Sequence, residues 1–390
     1  MNRKHLILAL RHLLFKILNI SFSVFPIKKN RVFFVSFNGK SYSDNPKAIS
    51  KALFELYHDS FEHVWVLNNT DVTIPGYIHT CKNNSLKMIY YLATSKVWVS
   101  NFLLPKGTYK RKKQYYIQTW HGDKAFKKIL HDVPSRDGSK KWLFETDHTD
   151  LMVAGSQYGV NQMRTAFLYN GKILEEGTPR NDLFFKDNHD LKVKLRNILH
   201  CTDGEKLIMY APTFRREEKT GLFDAHFDFK QILSILKEST GSTWKFLVRT
   251  HSADRRMKIV TDDSYMIDVS NYPDMNELLL ITDMLITDYS SVAGDYALLE
   301  KPILLFQYDK DRYLEKDREF YFDMKDSPYF VATNENELYH LLEDINSVDV
   351  KKNCKDILSF YNDFETGHSS TTIVNLIYSL KDISKQTHLC

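Results

Sequence analysis

A histidine at the carboxyl end of a strand can take a proton near neutral pH, and Trp120-His121-Gly122-Asp123-Lys124 follows directly on the run Tyr115-Tyr116-Ile117-Gln118. The same histidine could instead fix the turn by hydrogen-bonding backbone, and residue types alone leave both readings open. Further on, Met284-Leu285-Ile286-Thr287-Asp288-Tyr289-Ser290-Ser291 passes into Val292-Ala293-Gly294-Asp295-Tyr296. Two serines and their amides would then stand at a helix N-terminus, where phosphate oxygens are favoured. Arg249-Thr250-His251 ends the run Lys245-Phe246-Leu247-Val248, and an Arg-x-His pair can bind phosphate oxygens while offering a proton donor. Ala211-Pro212-Thr213-Phe214-Arg215 ends Leu207-Ile208-Met209-Tyr210. Three strands thus bring Thr213, Arg249 with His251, and Ser290 with Ser291 to one rim. Asp295, one turn beyond Ser291, could reach a ribose hydroxyl or a polyol, or serve as a surface or capping residue. Lys124 and Arg180 could add positive charge or be ordinary surface residues.

These loops need parallel strands to aim them. From Arg31 onward short apolar runs alternate with helical stretches: Val32-Phe33-Phe34-Val35, residues 46–57, Val64-Trp65-Val66-Leu67, Lys96-Val97-Trp98-Val99, then Tyr115 to Gln118. A second series runs through Leu207, Lys245, Met284 and Ile303-Leu304-Leu305-Phe306. Strand–helix alternation of this kind predicts an α/β protein with two doubly wound domains and a ligand cleft between them. The expected division is 1–30 as an amphipathic segment, 31–187 as the first domain and 188–390 as the second, a polar helix from Asp190 to Leu199 opening the latter. Helical signals after Asn334 and from Thr371 to Lys381 could cap the second domain or cross back over the first.

The chain has 390 residues, 43% of them hydrophobic, enough for two cores. Net charge is only +4, but residues 1–43 contain no Asp or Glu against Arg3, Lys4, Arg11, Lys16, Lys28, Lys29, Arg31 and Lys40. At about 100° per residue, Leu6, Leu10, Leu13, Leu14, Ile17, Leu18 and Ile20 fall on one side of a helix over residues 3–20 and Lys4, His5, Arg11, His12, Lys16 and Asn19 on the other. Such a helix either packs on its own domain or lies on an anionic membrane; the unbalanced basic face favours the membrane. No run approaches the roughly 20 apolar residues of a spanning helix, and neither a transmembrane segment nor a cleaved signal is expected. Between residues 106 and 141, eleven Lys or Arg face three acids, either a solvated face or a landing site for a phosphorylated acceptor. Four scattered cysteines suggest neither a zinc knuckle nor a disulfide framework, and no acidic cluster with metal-ligand spacing accompanies the loops. No nucleic-acid motif is present.

The sequence resembles the CDP-glycerol glycerophosphotransferases of bacterial teichoic acid and related polymer synthesis. The resemblance rests on Trp120-His121-Gly122 with Lys127-Lys128-Ile129, Gly177-Thr178-Pro179-Arg180-Asn181-Asp182, Tyr210-Ala211-Pro212-Thr213-Phe214-Arg215, Arg249-Thr250-His251, and Ile286 to Ser291 with Asp295 and Lys301-Pro302. It implies a GT-B type fold of two Rossmann-like domains, with the donor on the C-terminal one. It also implies a peripheral enzyme on the cytoplasmic membrane face, a lipid-linked acceptor, CDP-glycerol as donor and no tightly bound cofactor. By the same resemblance His121 is the catalytic base and His251 with Arg249 stabilises the donor pyrophosphate. Arg180, Pro212, Thr213, Ser290, Ser291 and Asp295 match donor-contacting positions, and Gly122, Asp123, Lys124 and Thr250 are grouped with them. The chain departs from the family pattern at Asp123-Lys124, where Thr-Pro is common. A CDP-ribitol transferase is the nearest alternative, a UDP-sugar glycosyltransferase or epimerase a more distant one, and a membrane-bound scaffold the non-enzyme alternative.

Overall fold

The computed structural model describes residues 3–69, 72–134, 143–213, 215, 221–222, 225–250, 257–258, 264–316 and 319–382. It forms two compact units. One takes the chain up to Asp123, the segment ending at Phe185 and the chain from Phe364 onward; the other takes Lys124–Pro134 and Lys186–Asp363.

The first unit is built on seven strands, β1 (Lys28–Val35), β2 (Glu62–Val66), β3 (Ile78–Cys81), β4 (Ser95–Ser100), β5 (Tyr115–Gln118), β6 (Leu151–Ala154) and β7 (Lys172–Glu175). They pair in parallel in the order β3-β2-β1-β4-β5-β6-β7. The uninterrupted apolar runs follow from burial on both faces. Along β1, Val32 and Phe34 enter a core with Trp65, Val97 and Val99, while Phe33 and Val35 enter another with Val64, Trp98 and Tyr116. This alternation is the two-residue period of a strand.

The second unit carries a six-stranded parallel sheet in the order β12-β10-β8-β13-β14-β15. Its strands are β8 (Lys206–Ala211), β10 (Trp244–Val248), β12 (Met266–Asp268), β13 (Met284–Thr287), β14 (Ile303–Phe306) and β15 (Phe330–Ala332); β9 (Gly221–Leu222) pairs with β11 (Met257–Lys258) apart from it. The expected α/β plan of two parallel sheets is therefore present.

The expected boundaries change in two places. Helix Ser369–Asp382 belongs to the first unit: Ile373, Val374, Ile377 and Leu380 are buried with Val32, Leu53 and Val153, and Asp182 accepts the Ser369 and Ser370 amides at 3.1 and 2.7 Å. An apolar stripe on a helix signals burial but not against which sheet. Conversely, Lys124–Pro134 lies in the second unit, with buried Phe126 against Phe322 and Tyr329.

The N-terminal helix spans Arg3–Ser21. Phe15 is buried and Leu18 and Phe22 pack beside it on the core that contains Met88 and Leu92. Leu6, Ile7, Leu10, Leu13, Leu14, Ile17 and Ile20 remain 45–57% exposed. Leu18 thus faces the domain rather than joining the outer stripe, because the helix carries two apolar faces instead of one. No helix among the described residues is long and apolar enough to cross a membrane.

Candidate active site

In an open parallel sheet, ligands gather beyond the carboxyl ends of the strands where strand order reverses. In the first unit that point lies between β1 and β4, and Asn101, immediately after β4, bridges it. Its Oδ1 accepts the Phe37 amide beyond β1 at 2.9 Å, and its Nδ2 donates to Ser36 Oγ and Asp44 Oδ1 at 3.2 and 3.0 Å. Its carbonyl lies 2.7 Å from His121 Nδ1. A carbonyl only accepts, so Nδ1 carries the hydrogen and Nε2 holds the ring's basic lone pair. The two readings of His121 are therefore compatible: one nitrogen fixes the turn, and the other is chemically equipped to take a proton. Phe37, Phe102 and Trp120 surround the half-buried ring at centroid distances of 5.2, 5.6 and 4.2 Å.

Arg180 is buried, not on the surface: its Nη1 lies 3.3 Å from Asp44 Oδ2, and its amide donates to Asn45 Oδ1 at 3.0 Å. Asn45 Nδ2 in turn donates to the Trp120 carbonyl at 2.9 Å. Asp44, Asn45 and Asn101, none of them singled out by the sequence, therefore join Arg180 to the His121 turn. Each is a single polar residue just beyond a strand or at a helix start, and only that position could have drawn attention to it. The rest of the Gly177 to Asp182 motif secures the chain's last segment. The Thr178 amide and Asn181 Nδ2 both donate to Glu365 at 2.8 Å.

In the second unit the order reverses between β8 and β13. Asp288 closes that point by accepting the Thr213 amide at 2.9 Å and the Thr213 hydroxyl at 3.2 Å. Arg215 locks the pair, placing Nη2 2.8 Å from Asp288 while Nε and Nη2 donate to Asp309 at 2.7 and 3.0 Å. Burial opposes its charge, but Asp288 and Asp309 together hold the guanidinium protonated well above its ordinary range. Ser290 and Ser291 are half-buried ahead of the short helix Val292–Tyr296, and Ser290 Oγ accepts the Val292 amide at 3.4 Å. Pro212 is half-buried beside Thr213.

Arg249 is turned inward, its Nη1 donating to the Val269 and Tyr272 carbonyls at 3.2 and 2.7 Å, and burial lowers its pKa. Thr250 is buried with its amide and hydroxyl each 3.0 Å from Ser270 Oγ. His251 lies outside the described residues.

The Asp123-Lys124 pair is buried and divided between the units, and Gly122 before it is also buried. Asp123 accepts the Gly155 amide at 2.9 Å and the Ser156 hydroxyl at 2.6 Å. A Cβ on Gly159 would lie 1.8 Å from its Oδ1, so that helix start needs glycine. Lys124 is 0% exposed, with Nζ 2.9 Å from Asp363 and 3.9 Å from Asp295. The surface reading of Lys124 and of Asp295 therefore gives way to a buried charge cluster.

Residues 17–379 match the family described as CDP-glycerol:poly(glycerophosphate) glycerophosphotransferase, and the chain belongs to that family. A teichoic acid poly(glycerol phosphate) polymerase from Staphylococcus epidermidis is 35% identical over 92% of this chain and 52% of its own length. The chain thus spans about half of that relative. A teichoic acid glycerol-phosphate transferase from Staphylococcus aureus is 31% identical over 90% of this chain and 93% of its own length. Among solved structures, a variant of the wall teichoic acid polymerase TagF soaked with CDPG superimposes with a TM-score of 0.84 at 29% identity, covering 99% of this chain and 100% of that one.

Proposed function

We propose that this chain transfers a glycerol phosphate unit from CDP-glycerol to a hydroxyl of a teichoic acid or capsular acceptor, releasing CMP. The observation that carries the reading is the His121 tautomer, set by the Asn101 carbonyl within a chain of this family. His121 Nε2 takes the acceptor hydroxyl's proton as that oxygen attacks the phosphorus bearing the glycerol. The bond from that phosphorus to the bridging oxygen breaks, and the electron pair leaves with CMP. No covalent enzyme intermediate is needed.

Thr213, Ser290 and Ser291, held at the β8–β13 reversal, are the donor contacts, while Asp295 is buried beside Lys124. Amides and hydroxyls fixed before the donor arrives stabilise the leaving charge without having to reorganise. CDP-glycerol and CDP-ribitol, offered separately with a lipid-linked acceptor, distinguish the donors by CMP release and product mass. Glycerol phosphate addition is expected; mass growth only by ribitol phosphate units would reassign the donor. Competition by UMP rather than CMP would move the chain to the UDP-sugar class.

The membrane role rests on the N-terminal helix, where the exposed Leu6, Leu10, Leu13, Leu14 and Ile17 run alongside exposed Arg11 and Lys16. An apolar stripe flanked by uncompensated cations suits the surface of an anionic bilayer, at which a lipid-linked acceptor is met. Deleting residues 1–20 is expected to abolish sedimentation with vesicles containing phosphatidylglycerol. Equal sedimentation of the truncated and full chains would end this reading.

A further inference from the structure

Behind His121 lies a second polar cluster, wholly inside the first unit, that the chemistry above does not use. Glu145, in helix Phe144–His148, is 1% exposed. Its Oε1 accepts the Leu104 amide at 2.7 Å and the Tyr116 hydroxyl at 3.4 Å. Gln118 extends the cluster: Nε2 donates to Tyr116 Oη at 2.8 Å and to the Phe102 carbonyl at 3.1 Å, while Oε1 accepts the Trp120 amide at 2.9 Å. Tyr116 and Gln118 are completely buried.

The two ends of this chain of bonds are the two loops that hold the imidazole. Residues 101–104 supply the Asn101 carbonyl for Nδ1; residues 119–121 carry the ring itself. Trp120 adopts a φ of 49°, a left-handed conformation that a bulky residue keeps only when its surroundings impose it. The Gln118 bond to its amide and the Asn45 bond to its carbonyl do so.

Buried polar groups are costly unless satisfied, so a cluster of this kind is kept for the geometry it enforces. No cation pairs with Glu145 among the described residues, and burial raises its carboxyl to about 7. In either protonation state Oε1 still accepts from Leu104, and a glutamine amide has the same shape.

We propose that Glu145, acting through Tyr116 and Gln118, is a positioning residue for the base, holding the two loops at the separation that aims the His121 ring. The proposal rests on the reading of His121 as the base in polyol phosphate transfer. The full chain carrying Glu145→Gln, Glu145→Leu or Tyr116→Phe is compared with the wild type for CMP release from CDP-glycerol. Glu145→Gln is expected to keep kcat within about threefold, whereas Glu145→Leu lowers kcat roughly 10–100-fold with KM for CDP-glycerol unchanged.

If Glu145→Leu does not fold, Tyr116→Phe, which removes one hydroxyl, is expected to lower kcat in the same selective way. A folded Glu145→Leu with wild-type kcat, or Tyr116→Phe with wild-type kcat, overturns the proposal. The His121 ring resonances give a readout independent of transfer. They are expected to shift in Tyr116→Phe and to match the wild type in Glu145→Gln; no shift in Tyr116→Phe overturns the positioning role. A wild-type chain that releases no CMP from any CDP-polyol removes the transferase reading, and the resonances then still decide the positioning claim.

Discussion

His121→Ala is expected to lower CMP release by a factor of about 10²–10⁴, the usual contribution of a positioned general base, while the protein stays folded. The substitution trims a half-buried ring at a strand end, so the sheet behind it keeps its core. His121→Asn sharpens the result. Its amide nitrogen can still donate to the Asn101 carbonyl where Nδ1 does, but nothing in it takes a proton at Nε2. An equal loss in both variants, with melting temperatures within a few degrees of wild type, assigns the effect to the missing base. Wild-type turnover by a folded His121→Ala would falsify the assignment, and recovery in His121→Asn would reduce the histidine to a turn-holder.

Lys124→Met is expected to destabilise the protein by about 3–5 kcal/mol, because removing one member of a buried ion cluster leaves uncompensated charge. The lysine is 0% exposed and its two carboxylate neighbours, Asp295 and Asp363, are themselves at most 12% exposed. The corresponding fall in melting temperature is roughly 6–20 °C for a unit of this size. Adding Asp363→Asn to Lys124→Met should restore part of it, since one orphaned charge disappears. A Lys124→Met protein that melts with the wild type would show that the cluster is already neutralised by other means. Gly294→Ala reaches the same lysine from the other side, as its Cβ would lie 2.6 Å from Lys124 Cδ.

The sheets could be read from the sequence because β1, β2, β4, β5, β8, β10, β13 and β14 are apolar runs buried on both faces. Edge strand β7 could not: Lys172–Glu175 is exposed or half-exposed throughout and lacks any period that marks a strand. His121, Thr213 and Ser290 drew attention because each follows such a run directly. Asp44, Asn101 and Glu145 escaped notice because their meaning lies in partners 57 and 41 residues away, Asp44 to Asn101 and Glu145 to Leu104. Asp123 and Lys124 present the converse case. Their departure from the family pattern beside the histidine drew attention to the acceptor, whereas both side chains are spent on internal fastening.

The return of the chain at Phe364 to complete the first unit sets a schedule for synthesis. Val32, Leu53 and Val153 are made early, yet the helix that covers them, Ser369–Asp382, emerges only after the whole of the second unit. On the ribosome the second unit has all of its strands before the first can seal its apolar face. The early half must therefore wait with that face uncovered, and it is the half on which a chaperone would find something to hold.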